Sequence, residues 1–302
     1  MSIPIVKILV ATYNGEKYIE EQIASILNQR DVNIDIVVSD DNSKDRTVDI
    51  LHEKYPQISI IKNNPGNGSA AKNFLKMVSE LNCNENFDFV AFSDQDDIWL
   101  ADKMKAAIDS LVREDADLYC SNLTKWNLST NTFSNLKKDF PQKKFDYLFE
   151  GGSAGCTYVF TKKFALELKD FVSKIEFADW HGFSHDWLVY FFARSRKFKV
   201  VIDGNSYIHY RLHDNNVHGH LNKLSFSTFK EKSIQVLKGY YQRHANYNIQ
   251  YLQPDSEDFK IYSKFLGTYF QRNSVIWKYN TSLMRDNKKF LIFAVLNLLK
   301  LK

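Results

Sequence analysis

The sequence predicts an α/β fold, with a mainly parallel sheet flanked by helices and a helical C-terminal region. Three observations predict it. Short apolar, β-branched runs alternate with helical-period segments of the length that βαβ units require. Three of those runs stop at polar clusters, Tyr13-Asn14, Asp40-Asp41 and Asp94-Gln95-Asp96-Asp97, and in parallel sheets ligands bind outside the carboxyl ends of the strands. Beyond Leu221 the pattern turns helical and polar-aromatic.

The elements follow in order. Residues 6–12 form a first strand that stops at the turn signal Tyr13-Asn14-Gly15. Residues 16–29 place Tyr18, Ile19, Ile23, Ile26 and Leu27 at helical spacing. Residues 34–39 form a second strand, and Ser43 or Asp45 caps the helix that runs from there to Tyr55. A third strand over 58–62 leads to a helix over 70–81, and a fourth strand over 87–92 ends at the acidic cluster. Residues 117–121 read as another strand, 125–144 as a polar stretch and 151–155 as a glycine-rich loop leading into 156–160. Helices are expected over 164–172 and 184–193, and two short strands over 200–203 and 206–210. No repeat or Pro/Gly linker interrupts this order.

At 302 residues the chain can bury a full core, and 44% hydrophobic with 25% charged residues excludes a disordered protein. A net charge of +4 is too small to point to nucleic acid, though it favours anionic substrates or surfaces. Cys83, Cys120 and Cys156 are odd in number and lack metal-ligand spacing, which predicts free thiols. No run reaches the roughly 18 apolar residues of a spanning helix, and the segment after Met1 lacks the pattern of a signal peptide. The expectation is a cytoplasmic protein, peripheral at most on the inner face of a membrane.

Three carboxylates within Asp94-Gln95-Asp96-Asp97 repel one another unless a cation or hydrogen bonds compensate. A hard divalent ion, Mn²⁺ or Mg²⁺, takes such oxygen ligands together with substrate phosphates; a charged surface turn is the plainer alternative. Asp40 and Asp41 read either as a turn and cap or as acceptors for a base or ribose. Tyr13 is a strand-end aromatic or a stacking face. Lys72-Asn73 follow a loop and can reach a phosphate, and Gly152 lies in a loop where backbone can approach an acceptor closely. Trp180, His181 and Trp187 form either a sugar-stacking wall or a buried aromatic cluster.

Taken in order, Ala11-Thr12-Tyr13-Asn14-Gly15, Ser39-Asp40-Asp41-Asn42-Ser43-Lys44-Asp45 and Ser93-Asp94-Gln95-Asp96-Asp97-Ile98-Trp99 resemble the nucleotide-binding motifs of inverting glycosyltransferases of family two. The resemblance covers roughly residues 3 to 220. It implies the GT-A fold, Rossmann-like in its central sheet. It implies a donor site with Asp41 on the base, Tyr13 over it, Asp94 near the ribose and Asp96 on the metal; Thr12 and Gln95 of the same motifs, and Lys72 from its own loop, complete the expected donor contacts. Ser184-His185-Asp186-Trp187 is similar to the family's base position, which makes Asp186 the catalytic base, with His185 its competitor on intrinsic pKa. Gly152, Trp180, His185 and Trp187 are the expected acceptor contacts. Tyr210-Arg211-Leu212-His213-Asp214 resembles rhamnosyltransferase-like members. There Arg211 pairs with donor phosphate and His213 with metal or phosphate, a polar surface loop being the alternative.

The resemblance divides the chain into a catalytic domain over 1–220, with a nucleotide-sugar half (1–120) and an acceptor half (121–220), and a helical region over 221–302. The implied reaction moves L-rhamnose from dTDP-L-rhamnose onto a hydroxyl of a lipid-linked, growing bacterial capsule or O-antigen polysaccharide, with UDP-galactose or UDP-glucose as alternative donors. A nucleotidyltransferase is disfavoured because residues 11–15 lack a glycine-rich basic loop, and a silent carbohydrate-binding protein is disfavoured by the retained acidic positions. The last fifteen residues join basic ends to an apolar stretch too short to span. They dock on a membrane surface, or pack on another helix or a second subunit as a homodimer.

Overall fold

Strand β1 (Ile5–Thr12) lies inside the sheet and is buried from Val6 to Thr12. In the computed structural model, which describes residues 2–177, 182–212 and 233–300, β1 pairs in parallel with β2 (Asn33–Asp40) on one side and β4 (Phe89–Ser93) on the other. Strand β3 (Ser59–Lys62) extends β2 in parallel. The one cation buried in β1, Lys7, lies opposite Asp35 in register and bonds both Asp35 (2.5 Å) and Glu85 (2.7 Å). Burying an ammonium without such partners would be strongly unfavourable. Helices α1 (Ile19–Leu27), α2 (Thr47–Lys54) and α3 (Ala70–Ser79) connect these strands.

The strand order, β3-β2-β1-β4-β8-β6-β9-β5, reverses direction at β1. That reversal opens a crevice between the carboxyl ends of β1 and β4, the switch point at which ligands bind in such sheets. The second half is mixed. Strand β8 (Val159–Thr161) runs antiparallel to β4 and to β6 (Leu118–Asn127), whereas β9 (Val200–Leu212) runs parallel to β6. Helices α5 (Lys162–Val172) and α6 (His185–Ser195) follow β8.

Four elements depart from the sequence expectation. Helix α4 (Lys103–Glu114) was not anticipated, although Met104, Ala107, Ile108 and Leu111 are buried at helical spacing. The polar stretch holds β7 (Thr132–Leu136), a hairpin partner of β6 that is exposed at all positions but Leu136 and so lacks the alternation of a half-buried strand. The two-residue β5 (Ile98–Trp99) pairs with β9 directly behind the acidic cluster. Residues 200–203 and 206–210 belong to a single strand, β9, whose register against β6 shifts beside Ser121 and Asn122. Neither Ser43 nor Asp45 is the cap residue of α2. Its N-cap is Arg46, with Asp45 accepting from the Thr47 amide (3.0 Å).

The chain divides into two units, Met1–Asp139 with Gly152–Leu212, and Phe140–Gly151 with His213–Lys302. The expected boundary at 220 falls outside the described residues, and 140–151 group with the C-terminal unit. That unit contains α7 (Tyr240–Asn248), α8 (Glu257–Phe265), α9 (Tyr269–Tyr279) and α10 (Asn287–Leu299). Its core is aromatic: the Phe149 ring meets Phe265 (5.0 Å), Phe293 (5.4 Å) and Tyr262 (5.9 Å). Beside it, buried Glu150 accepts from the Arg285 amide (2.5 Å) and from Lys289 Nζ (2.9 Å).

Burial alone would raise the Glu150 carboxyl, but the charges of Lys289 and Arg285 and the hydrogen bonds hold it below its ordinary value of 4.5. A depressed folded-state value stabilises the protein above 4.5, and that contribution is lost as pH falls through the folded value. Glu150→Gln should therefore cost about 1–3 kcal/mol at neutral pH and flatten the loss of stability on acidification, as measured by urea unfolding across pH.

Candidate active site

The loops after β1, β2 and β4 meet at the switch point and are stitched together by short-range chemistry. Gln95 bridges the first and third: its Oε1 accepts from Thr12 Oγ1 (2.6 Å) and the Tyr13 amide (2.9 Å), and its Nε2 donates to the Tyr13 carbonyl (3.1 Å). The first and second loops are joined by the Asn14 amide donating to Ser43 Oγ (2.8 Å) and the Lys44 amide to Asn14 Oδ1 (2.8 Å). Asp40 accepts from the Ser43 amide and so acts as the turn residue of its loop. Thr12 is buried, whereas Tyr13 stands 55% exposed with its ring free to meet a planar ligand.

Asp41 is nearly buried, and its carboxylate accepts from the amides of Asn67 and Gly68 (2.9 Å to the latter). Beneath it lies a buried polar network of Ser39, Asn63 and Asn73. Asn73 Oδ1 accepts from Ser39 Oγ (2.6 Å), and Nδ2 donates to the Ser39 carbonyl (2.7 Å). Asn73 is thus committed to the fold, while Lys72 is half-buried in the first turn of α3, whose cap is Ser69.

The acidic turn splits by environment. Asp94, Gln95 and Asp96 are part-exposed, and Asp97 is fully buried. Burial, then the charges of Asp96 and Asp186, raise the Asp94 carboxyl to about 7. Asp97 is pushed well above the carboxylate range by burial and by Asp96 and Asp94. One Asp97 oxygen accepts from the Arg211 amide (3.3 Å), and the other makes no well-formed hydrogen bond and has the Cys156 thiol beside it. Lys103, from the first turn of α4, lies behind them. Its ammonium sits 3.5 Å over the Trp99 ring, and burial lowers it to about 7 against the pull of Cys156 and Asp97.

Oxygens of Asp94 and Asp97 and the Cys156 sulfur lie within 4.8 Å of one another. Carboxylates this crowded must be relieved by a proton or a cation, and the oxygen donors of the 94–97 turn fit a hard divalent ion. Sulfur suits softer metals, so Cys156 adds nothing to such a site. Asp96, the expected metal ligand, is not in that triple. His213 lies outside the described residues, as do Trp180 and His181.

Arg211 is placed differently from the expected phosphate contact. Its side chain is buried, donates to the Asp96 carbonyl (2.9 Å) and to Glu21 (2.6 Å), and lies between the rings of Tyr18 (4.5 Å) and Trp126 (5.0 Å). Its observed contacts clamp the acidic turn to α1 and to β6.

Asp186 sits in the first turn of α6, with Ser184 as cap and the Trp187 amide donating to its carboxylate (2.8 Å). A second hydroxyl, besides that of Ser184, ties this turn to a neighbouring loop. Tyr158 Oη donates to the Asp186 carbonyl (3.1 Å) and accepts from the amides of Gly152 (3.2 Å) and Ser153 (3.3 Å). Gly152 is needed there, since a Cβ would stand 2.9 Å from the Tyr190 ring. His185 turns into an aromatic nest with Phe74 (4.5 Å) and Phe92 (5.6 Å), and Trp187 is buried. Cys156, Lys103 and Tyr158 were not singled out by sequence reasoning. Lys103 carries a local signal, a lysine at a position flanked by the buried stripe of α4, but Cys156 and Tyr158 reach the site only through the folding of β8 beside β4.

The glycosyl transferase family 2 model matches residues 7–169. The chain is 39% identical over 251 residues to a dTDP-rhamnosyl transferase, RfbG, of Shigella flexneri, covering 82% of this chain and 86% of that protein. It is 30% identical over 159 residues to WfgD of Escherichia coli, a UDP-Glc:alpha-D-GlcNAc-diphosphoundecaprenol beta-1,3-glucosyltransferase, covering 51% of this chain and 59% of that one. Among solved structures, Staphylococcus aureus TarS 1-349 in complex with UDP-GlcNAc superposes with a TM-score of 0.56 at 14% identity, covering 97% of this chain and 89% of that one. This likeness shows the fold, the expected GT-A architecture.

A Cβ at Gly155 would fall 2.0 Å from His185 Nε2, inside the aromatic nest. Gly155→Ala should destabilise the protein by about 1–3 kcal/mol in urea unfolding. An unchanged midpoint would show that the His185 ring relocates freely.

Proposed function

The chain belongs to glycosyl transferase family 2 and is a glycosyltransferase, and on that premise we propose that it transfers L-rhamnose from dTDP-L-rhamnose with inversion. The acceptor in this reading is a hydroxyl of a lipid-linked, growing bacterial cell-surface polysaccharide. The observation that carries the proposal is the approach of two carboxylates from separate elements. Asp186, at the start of α6, lies close enough to Asp94, at the end of β4, for its charge to act on that carboxyl. Inversion requires one in-line displacement, with a base on the face opposite the leaving group. Asp186 takes the acceptor proton as the acceptor oxygen bonds to the anomeric carbon, and the bond from that carbon to the diphosphate oxygen breaks, releasing dTDP.

In this reading Tyr13 covers the base, Asp41 and the amides it organises lie beside it, and Asp94 faces the ribose. The oxygens of the 94–97 turn, Asp96 foremost, would hold Mn²⁺ or Mg²⁺, and such an ion would supply neutralisation of charge on the diphosphate. Rhamnose is favoured by the similarity to RfbG over most of both chains. A UDP-hexose is the second reading, supported by the similarity to WfgD, whose name specifies UDP-Glc. That relative's diphosphoundecaprenol acceptor supports the lipid-linked acceptor proposed here. No described helix is long and apolar enough to cross a membrane, and the enzyme is proposed to meet its acceptor from the inner face, as a peripheral protein.

Thermal stabilisation and transfer should be measured against a panel of nucleotide-sugars with Mn²⁺ or Mg²⁺. Preference for dTDP-L-rhamnose is expected, and preference for a UDP-hexose would replace it with the second reading. Asp186→Asn should keep donor binding while transfer falls about 10²–10⁴-fold; transfer at the wild-type rate would remove Asp186 as base. Asp96→Ala or EDTA should abolish metal-dependent donor binding, and full binding in EDTA would defeat the metal assignment.

A further inference from the structure

Helices α9 and α10 form an antiparallel hairpin within the C-terminal unit. Tyr269 Oη, in the first turn of α9, donates to the Leu298 carbonyl (3.1 Å) near the end of α10. Each helix buries one side and leaves large apolar side chains outside. On α10 these are Leu291, Ile292, Val295 and Leu299, with Leu291, Val295 and Leu299 at successive four-residue steps and therefore on one face. On α9 they are Phe270 (81% exposed) and Trp277 (62% exposed), seven residues apart and so aligned. Exposed apolar surface of this kind marks an interaction site rather than ordinary scatter.

Charge identifies what the surface meets. Phe140–Gly151 and His213–Lys302 hold 16 of the 40 Lys and Arg but only 8 of the 36 Asp and Glu, so this unit carries +8 while the other carries −4. After Asp286 the chain has no acidic residue, yet it has Lys288, Lys289, Lys300 and Lys302. Exposed Lys278 and Lys288 lie at the turns bearing Trp277 and Leu291. Apolar side chains with an aromatic and lysines at their border are what an interfacial helix presents to anionic headgroups. The thirteen residues of α10 reach about 20 Å, short of a hydrocarbon core, so the helix lies along a surface and does not cross it.

We infer that the exposed faces of α9 and α10 dock the protein on an anionic phospholipid bilayer. This deepens the peripheral placement proposed above and is independent of the sugar transferred. The test is flotation of the full chain with vesicles of phosphatidylcholine containing about a quarter phosphatidylglycerol, and with phosphatidylcholine alone. Binding to the anionic vesicles is expected, weakened by salt as the charges are screened. Leu291→Gln with Leu299→Gln should reduce partition about tenfold, and Lys278→Gln with Lys288→Gln should reduce it by a similar factor, both with an unchanged melting temperature. The Trp277 emission should shift to shorter wavelength on binding, and Trp277→Phe should remove that shift. No binding to anionic vesicles, or equal binding to neutral ones, overturns the inference. So does a dimer in sedimentation that the Leu291/Leu299 pair of substitutions abolishes, which would make the face a contact between two copies. Because no donor enters the measurement, a wrong sugar assignment leaves it unaffected.

Discussion

Like-charge crowding at the end of β4 is the constraint around which the rest of the first unit is arranged. Asp94, Asp96 and Asp97 share one turn, in which burial and then the charge of Asp96 push up the carboxyls of Asp94 and Asp97. The fold answers from several directions. The amide of Arg211 meets one Asp97 oxygen, and its guanidinium holds the Asp96 carbonyl. The Lys103 ammonium stands behind, stacked on Trp99. These groups arrive on β9, β5 and α4, so the mixed second half of the sheet supports the acidic turn that the parallel half presents.

A second arrangement fixes the opposing carboxylate. Asp186 belongs to a helix start, where amides favour an anion, and the Tyr158 hydroxyl ties that start to the 152–153 loop. Small residues make this closeness feasible, since side chains at Gly152 and Gly155 would collide with Tyr190 and His185. His185, adjacent to Asp186 in sequence, points into the aromatic core. Neighbouring positions on a helix lie about 100° apart, and that rotation separates the His185 ring, packed on Phe74 and Phe92, from the part-buried Asp186 carboxylate.

The parallel half was legible because its signals are local. β1, β2 and β4 are apolar runs, each ending at the polar residues that line the crevice, and the order of those endings carried the family resemblance. What escaped notice depends on contacts distant in sequence. β7 has exposed faces and no apolar alternation, and β9 is broken in pattern at Gly204-Asn205 though continuous in structure. The resemblance implied a phosphate contact for Arg211, its polar sequence context a surface loop; only the fold shows Glu21, Tyr18 and Trp126 around its side chain. Cys156 has no spacing relation to Asp94 or Asp97, so no pattern search could have joined them.

The discontinuous C-terminal unit has a consequence for how the chain is made. Phe140–Gly151 is translated before Gly152–Leu212, yet it belongs with His213–Lys302. Phe145, Tyr147, Leu148 and Phe149 are all buried in the finished protein, and the rings that enclose Phe149 lie on α8 and α10. At synthesis rates of about 5–20 residues per second, this aromatic segment waits about 7–30 seconds on the ribosome before the last of its partners is made. The first unit can close its sheet in that interval, but the nascent chain carries a greasy loop until the last helix emerges. A chain terminated before α8 and α10 would leave the aromatic side chains of 140–151 without the rings that cover Phe149 in the finished protein.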